Sequence, residues 1–278
     1  MTSLVHDRLP GDGGREQTAS AAARRRWLGR LSGPLLLLLV FGIWELWSRL
    51  RETPTYVLPR PSAIAEAAWD DRSNLLSELG RTLLEALGGF AMAALVAIAL
   101  AVAVQGSRTF ELTVLPWIMV LQAVPVVAIT PVIALLLGRN AFTAMVIAAI
   151  IALFPILVNT VRGLTSATDS SVELMHVFGS SRWSTFRHLR LPGALPYTFA
   201  GLRVAASVVV PGAMVAEWIT ADSGLGFYVI NQTVAYQTEL VWAGILVATM
   251  AGVCFFTAVT LLERRIIPWS EPEAVAGV

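Results

Sequence analysis

The sequence contains no lysine, and all twenty of its basic side chains are arginine. That absence excludes a phosphate-binding loop with its lysine, a Schiff base and any other lysine chemistry within the chain. There is one cysteine, Cys254, so no disulfide can form within the chain. Charged residues make up only 14% of the sequence, about half their share in an ordinary soluble domain. The formal net charge of +1 gives no case for a nucleic-acid partner.

Apolar residues are abundant instead, at 56% of the chain. A helix needs about 20 mostly apolar residues to cross a bilayer, and strands with open edges would leave backbone groups unpaired in lipid. The sequence therefore predicts an all-α polytopic membrane protein with six transmembrane helices. The six predicted spans are residues 28–48, 82–104, 112–137, 141–161, 195–219 and 240–262.

The distribution of arginine predicts the orientation. With the N-terminus inside, the inner segments hold thirteen arginines and the outer segments hold six, in line with the positive-inside rule. Residues 1–27, which are rich in glycine, serine and charge, are predicted to be a disordered cytoplasmic tail. Residues 28–265 form the membrane domain, and residues 266–278 form a second cytoplasmic tail. The long loop at 162–194 would then also lie in the cytoplasm.

That loop is predicted to begin with a short helix. Ser170 and Glu173 have the spacing of a capping box, which predicts a helix from Ser171. Gly179 is a plausible end, because glycine adopts the left-handed conformation that often closes a helix.

A second short helix is predicted to follow the glycine bend. Ser181 can cap its start, and Leu191-Pro192 is predicted to end it, because a residue before proline disfavours the helical conformation. Both helices carry apolar stripes that need a cover. The pattern alone is compatible with two surfaces that could bury these stripes: the membrane surface, with arginines on lipid headgroups, or a groove in a partner protein. The stripes are Leu174, Met175 and Phe178 on the first helix, and Trp183, Phe186 and Leu189 on the second.

The loop resembles the cytoplasmic signature of permease subunits of ATP-binding-cassette (ABC) importers. That signature is Glu-Ala-Ala, three residues, Gly, nine residues, Ile, one residue, Leu-Pro. This chain has Glu173, Gly179, Leu189, Leu191 and Pro192 at those spacings, with leucine in place of isoleucine. The two alanines are replaced by leucine and methionine. The stretches "LPGALPYTFAGLRVA", "VAEWITADSGLGFYV" and "LLERRIIPW" are similar to the nitrate/sulfonate/taurine-type branch, and the resemblance covers about residues 30–270.

The resemblance implies a type I ABC importer permease fold in the cytoplasmic (inner) cell membrane. It also implies two ATPase subunits, a second permease copy that forms a homodimer with this one, and an extracytoplasmic solute-binding protein. The chain itself would be a non-catalytic subunit with no bound cofactor, and ATP and Mg would bind to the ATPase subunits. The residues implied to contact an ATPase subunit through this coupling loop are Glu173, Leu174, Met175, Phe178, Gly179, Arg182, Trp183, Phe186, Leu189, Leu191 and Pro192.

Polar and proline residues inside the spans are candidates for a translocation pathway. The third span is interrupted by prolines, and broken helices in membranes usually line cavities or pack against protein. Arg203 has an alternative role as an anchor that reaches toward the cytoplasmic interface, and Glu217 has one as a solvated helix end. The candidates are Gln122, Pro125, Thr130, Asn159, Arg203 and Glu217.

The predicted function is therefore import of a small polar solute, such as a sulfonate, taurine or nitrate. An alternative is that the same machinery imports a pyrimidine precursor of thiamine or a flavin-related solute. A secondary transporter is the alternative class, although neither paired repeats nor ionisable groups near the bilayer midplane are evident. No metalloprotease or nucleophile-elbow motif supports an intramembrane enzyme.

Overall fold

The computed structural model describes residues 33, 35–51, 57–106, 112–113, 116, 120, 124–220 and 222–269. The predicted N-terminal tail, most of the C-terminal tail and Gln122 lie outside these residues. The described elements are helical: α1 (35–50), α2 (Pro61–Asp70), α3 (Arg72–Gly106), α4 (Val126–Leu137), α5 (Ala141–Leu164), α6 (Asp169–Val177), α7 (Arg182–Thr185), a π-helical turn (Phe186–Arg190), α8 (Leu191–Thr220), α9 (Leu225–Val234) and α10 (Thr238–Ile266).

The chain divides into two compact units at Ala63. In the first unit, the Glu45 carboxylate of α1 accepts hydrogen bonds from the backbone N–H (3.1 Å) and the hydroxyl (2.8 Å) of Ser62. Ser62 lies in the first turn of α2, where backbone N–H groups lack helical partners and a carboxylate is favourable. Glu45 thus caps α2.

Among the described residues of the second unit, four helices are long and apolar enough to cross a membrane. They are Arg72–Gly106, Ala141–Leu164, the continuous run Arg182–Thr220, and Thr238–Ile266. These helices contain the predicted second, fourth, fifth and sixth spans. The first and third predicted spans are described only in part, and they stay predictions. Large apolar side chains on the outside of the bundle, such as Leu95, Leu135 and Met250, are exposed, as suits a lipid-facing surface.

Helices α3, α5 and α8 pack closely because small residues line their contacts. Gly201 of α8 lies against α5 so tightly that a Cβ atom would come within 2.7 Å of the Pro155 carbonyl oxygen. Gly89 of α3 similarly lies against the backbone of Met145 in α5. Small-residue contacts of this kind let helix backbones approach in membranes. The alanine ridges Ala93, Ala97, Ala101 and Ala144, Ala148, Ala152 are buried inside the chain.

Helix α10 completes this unit by packing on α8 through larger side chains. Phe199, Ala206 and Val259 are buried together. At the edge of this cluster the rings of Phe90 and Phe255 meet edge to face, with centroids 4.9 Å apart. Such aromatic pairs stabilise helix contacts by about 0.5–1.5 kcal/mol beyond area burial. The result is a fixed frame from which the α5–α8 loop projects.

Candidate functional site

The loop between α5 and α8 contains the glycine bend that the sequence predicts. Gly179 has φ +72°. Its N–H donates to the His176 carbonyl, and the Ser180 N–H donates to the Met175 carbonyl, both at 2.9 Å. This is the Schellman arrangement, which satisfies the last carbonyls of a helix and needs a left-handed residue at its centre. A Cβ on Gly179 would meet no atom within 4 Å, so only the backbone angle demands glycine.

The start of the loop differs from the prediction. Helix α6 begins at Asp169, and its cap is Thr168, whose hydroxyl accepts a hydrogen bond from the Ser171 N–H at 3.3 Å. The predicted capping box of Ser170 and Glu173 is therefore wrong, because both residues lie within the helix. Glu173 is exposed in the middle of α6, so it does not cap the first turn.

The second half of the loop is one continuous helical run into α8. Ser181 caps it as predicted, by accepting from the Ser184 N–H at 3.2 Å. Leu191-Pro192 does not end it, and that prediction is wrong. A π-helical turn precedes Leu191, whose N–H bonds to the Phe186 carbonyl. Pro192 directly follows this π-helical turn, and a local adjustment of that kind lets a helix continue through a proline, which lacks an N–H group.

Apolar side chains of this loop are unusually exposed. Leu174, Val177 and Phe178 on α6 are 56%, 82% and 76% exposed. Trp183 is also exposed, and its ring stacks on Phe186 with centroids 5.5 Å apart. Met175, Leu189 and Pro192 are half-buried, whereas Arg182 and Leu191 are exposed. An exposed apolar patch on a helical loop is typical of a surface that another molecule covers.

A buried polar cluster lies toward the other end of α8, where the α8–α9 turn meets α3. Three successive backbone N–H groups at the start of α9 point at side chains of other helices: Gly224 donates to Glu78, Leu225 to Thr82 and Gly226 to Glu217. The Thr82 hydroxyl lies 2.7 Å from Glu217 Oε1. We call Glu78, Thr82, Glu217 and these three amides the capping cluster. Its acids face the positive end of α9, which lacks a side-chain cap of its own.

Glycine is required in this cluster. Gly224 has φ +101°, and a Cβ there would lie 2.3 Å from the Glu217 carboxyl carbon. A Cβ on Gly226 would lie 2.2 Å from the Met214 carbonyl oxygen. The sequence did not predict this cluster, although Glu85, a glutamate inside a predicted span, was a signal for it. Glu85 is buried beside Glu217, and within the described structure its Oε2 has no hydrogen-bond partner.

Arg203, predicted as a pathway residue or an anchor, forms an ion pair with Glu263 of α10 at 2.5 Å. The glutamate is largely buried, and the arginine is about one-third exposed. The pair joins α8 to α10 next to the aromatic contacts described above. Its geometry suits an anchor, and a role for Arg203 in the pathway stays a prediction.

The other pathway candidates are dispersed. Thr130 is buried in α4 and donates to the Val126 carbonyl at 2.9 Å, and Pro125 is exposed at the start of that helix. Asn159 donates to the Pro155 carbonyl of its own helix at 2.8 Å. Glu217 is completely buried in the capping cluster. Among the described residues, no hydrogen bond or ion pair joins Thr130, Asn159 and Glu217 to one another. Within the described residues, no three His, Cys, Asp or Glu side chains are placed to hold a metal ion.

Comparison with known families places this geometry in context. Residues 89–268 match the family model "Binding-protein-dependent transport system inner membrane component". Among curated proteins, the chain is 30% identical to the formylaminopyrimidine transport permease protein ThiX of Halalkalibacterium halodurans, over 87% of this chain and 97% of that protein. It is 32% identical to the riboflavin transport system permease protein RibX of Chloroflexus aurantiacus, over 84% of this chain and 88% of that protein.

Two further comparisons agree. The chain is 29% identical to the putative aliphatic sulfonates transport permease protein SsuC of Escherichia coli, over 88% of this chain and 94% of that protein. A solved amino acid ABC transporter chain matches the fold with a TM-score of 0.61 at 17% sequence identity, over 72% of this chain and 97% of that chain. The predicted type I permease fold is thereby confirmed.

Proposed function

The chain belongs to the family of binding-protein-dependent transport system inner membrane components and is a membrane-spanning permease subunit of an ABC importer, and we propose that its α5–α8 loop couples it to separate ATPase subunits. The observation that carries this proposal is the exposed apolar surface of α6, held out by the Schellman bend at Gly179. A short amphipathic helix of this kind suits a hydrophobic groove in a partner.

Burial of that surface would supply much of the docking free energy. Complete burial of one leucine or phenylalanine side chain contributes about 1.5–3 kcal/mol. Leu174 and Phe178 are both more than half exposed and lie within the signature segment, so they are the strongest anchors. Glu173 is exposed on the same helix and is available to a basic group of the partner. ATP and Mg bind to the ATPase subunits in this proposal.

The orientation we propose places this loop and both termini in the cytoplasm. Its support is the excess of arginine in the inner segments. The assembly we propose has two permease copies, two ATPase subunits and an extracytoplasmic binding protein. Six spans with few polar side chains offer little lining for a solute pathway, and a second copy would complete the pathway along the proline-broken third span, near Pro125 and Thr130.

The substrate we propose is a small polar solute such as a sulfonate, taurine or nitrate. The relatives that carry formylaminopyrimidine and riboflavin are as similar to the chain as the sulfonate relative, and they support the thiamine-precursor or flavin-related alternative. The ligand retained by the cognate binding protein decides between them. Aliphatic sulfonates, formylaminopyrimidine and riboflavin can be tested for binding in parallel.

Co-purification tests the coupling proposal. The chain, expressed with its ATPase subunit, should elute as a complex whose mass corresponds to two copies of each. Replacing both Leu174 and Phe178 with serine should release the ATPase subunit, while the same change at Leu95, an exposed residue of α3, should not. A full ATP-driven complex with one permease copy, or one that survives the double change, would contradict the proposal.

A further inference from the structure

A groove of about 500 Å³ opens between the last turns of α3 and the loop helices α6 and α7. Val102 of α3 contributes an apolar side, and the stacked rings of Trp183 and Phe186 contribute another. Three basic residues, His176, Arg182 and Arg190, line the same groove. None of the described lining residues is acidic, so the groove has the composition of a site for an anion with an apolar tail.

The basic residues of the π-helical turn lie in two different environments. Arg190 is half-buried and lines the groove, whereas Arg187 and His188 of the same turn are exposed and lie outside it. Among the described residues, neither Arg182 nor Arg190 has a carboxylate in ion-pair contact. Two arginines without acidic partners beside an apolar wall favour an anionic ligand, because the guanidinium group binds phosphate oxygens with two parallel hydrogen bonds.

The position of the groove identifies the source of the anion. Helix α3 is one of the four helices able to cross a membrane, and its last residue, Gly106, lines the groove. The predicted span within α3 ends at residue 104, so Gly106 is expected at the depth of the lipid headgroups, where aromatic side chains are also enriched. Basic pockets beside transmembrane helices on the cytoplasmic side bind anionic headgroups.

We propose that this groove binds one anionic phospholipid, with its phosphate between Arg182 and Arg190 and its first acyl carbons against Val102 and the Trp183–Phe186 stack. Arg182, Trp183 and Phe186, which the resemblance implied as ATPase contacts, line this groove, whereas the docking surface proposed above lies elsewhere. It is the exposed face of α6 around Leu174 and Phe178, and neither residue lines the groove. Bound lipid would therefore stabilise the packing of the loop against α3, while the exposed face of α6 stays free to contact the ATPase subunit.

Native mass spectrometry of the full chain in detergent tests this site, with phosphatidylglycerol, phosphatidylcholine and inorganic phosphate as probes. The wild-type chain should retain one phosphatidylglycerol and bind phosphatidylcholine on the order of tenfold more weakly. Arg182→Gln with Arg190→Gln should weaken phosphatidylglycerol binding by about tenfold or more, while Arg187→Gln, the matched control, should stay within about twofold of wild type.

Several results would overturn the proposal. Equal binding of phosphatidylglycerol to the wild type and the double variant would do so, as would equal binding of the two lipids. Displacement of the lipid by equimolar inorganic phosphate would assign the groove to the free ion instead. If the double variant keeps the lipid but loses the ATPase subunit, the groove is a protein interface. If the double variant does not elute as a folded chain, Arg182→Gln alone, at an exposed position, should still weaken lipid binding about threefold, and an unchanged affinity would overturn the proposal.

Discussion

Replacing Thr82 with valine keeps the shape of the side chain and removes its hydroxyl group. Thr82 is completely buried, so water cannot replace that group. In the native cluster the hydroxyl accepts the Leu225 N–H at 2.8 Å. Its single proton goes to Glu217 at 2.7 Å in preference to the Glu78 carbonyl at 3.2 Å. The valine variant therefore leaves a buried amide and a buried carboxyl oxygen each without one partner.

The expected cost follows from these two hydrogen bonds. Side-chain hydrogen bonds inside membrane proteins contribute about 0.6 kcal/mol on average and up to about 1.7 kcal/mol. Two of them give a loss of roughly 1–3 kcal/mol in the free energy of unfolding. Because one bond joins the start of α9 to α3 and the other joins α3 to the end of α8, the loss should also loosen the α8–α9 turn.

Thermal unfolding of the purified chain measures this effect. In a chain of this size each kcal/mol lowers Tm by about 2–4 °C. Thr249→Val is the matched control, because the Thr249 hydroxyl is exposed and bonds only to the Ile245 carbonyl of its own helix. Thr82→Ser should recover most of the lost stability. If Thr82→Val were as stable as Thr249→Val, the capping cluster would not hold α9 in place.

Three other changes test separate parts of the structure. Gly179→Leu should leave the helices inserted but weaken co-purification of the ATPase subunit, because a positive φ costs a leucine about 1–2 kcal/mol. Gly179→Asn should be tolerated, because asparagine adopts a positive φ more readily. Normal coupling in Gly179→Leu would refute the bend argument. Arg203→Gln alone should lower the Tm more than Arg203→Gln combined with Glu263→Gln, because the single change leaves a buried carboxylate without its partner. Additive losses in Tm for the two changes would contradict this. Tyr228 donates to Asp71 at 2.6 Å, and burial, together with Asp71, raises the pKa of Tyr228. The stability that a raised tyrosine pKa contributes is complete below the unfolded pKa of about 10 and is lost only at higher pH. The loss in free energy of unfolding caused by Tyr228→Phe should therefore be the same at pH 6 and pH 9 in denaturation experiments. A smaller loss at pH 9 would oppose this assignment.

Local sequence rules predicted the parts of the loop that depend on local chemistry. Gly179 and Ser181 have the roles expected of them, because a left-handed helix end and a helix cap are set by a few neighbouring residues. The same rules failed where two residues offered the same chemistry. Thr168 caps α6 although Ser170 has the better capping-box spacing. Pro192 lies inside a continuous helix because the π-helical turn before it accommodates the proline.

The capping cluster could not be located from the sequence. Thr82 and Glu217 are 135 residues apart, and only the packing of α3 against α8 and α9 brings them together. The sequence did show that Glu217 was polar at a span end, and it predicted a solvated or pathway role. The structure buries Glu217 completely against backbone amides, which no periodic pattern reveals.

The most direct test of the central claim is uptake into proteoliposomes that contain the chain with or without its ATPase subunits. The solute is whichever of sulfonate, formylaminopyrimidine or riboflavin the cognate binding protein retains. A permease subunit of an ABC importer should show uptake only with the ATPase subunits, the binding protein and ATP together, and Gly179→Leu should abolish it. Uptake at the full rate by the chain alone, without ATPase or ATP, would contradict the account and indicate a self-sufficient transporter.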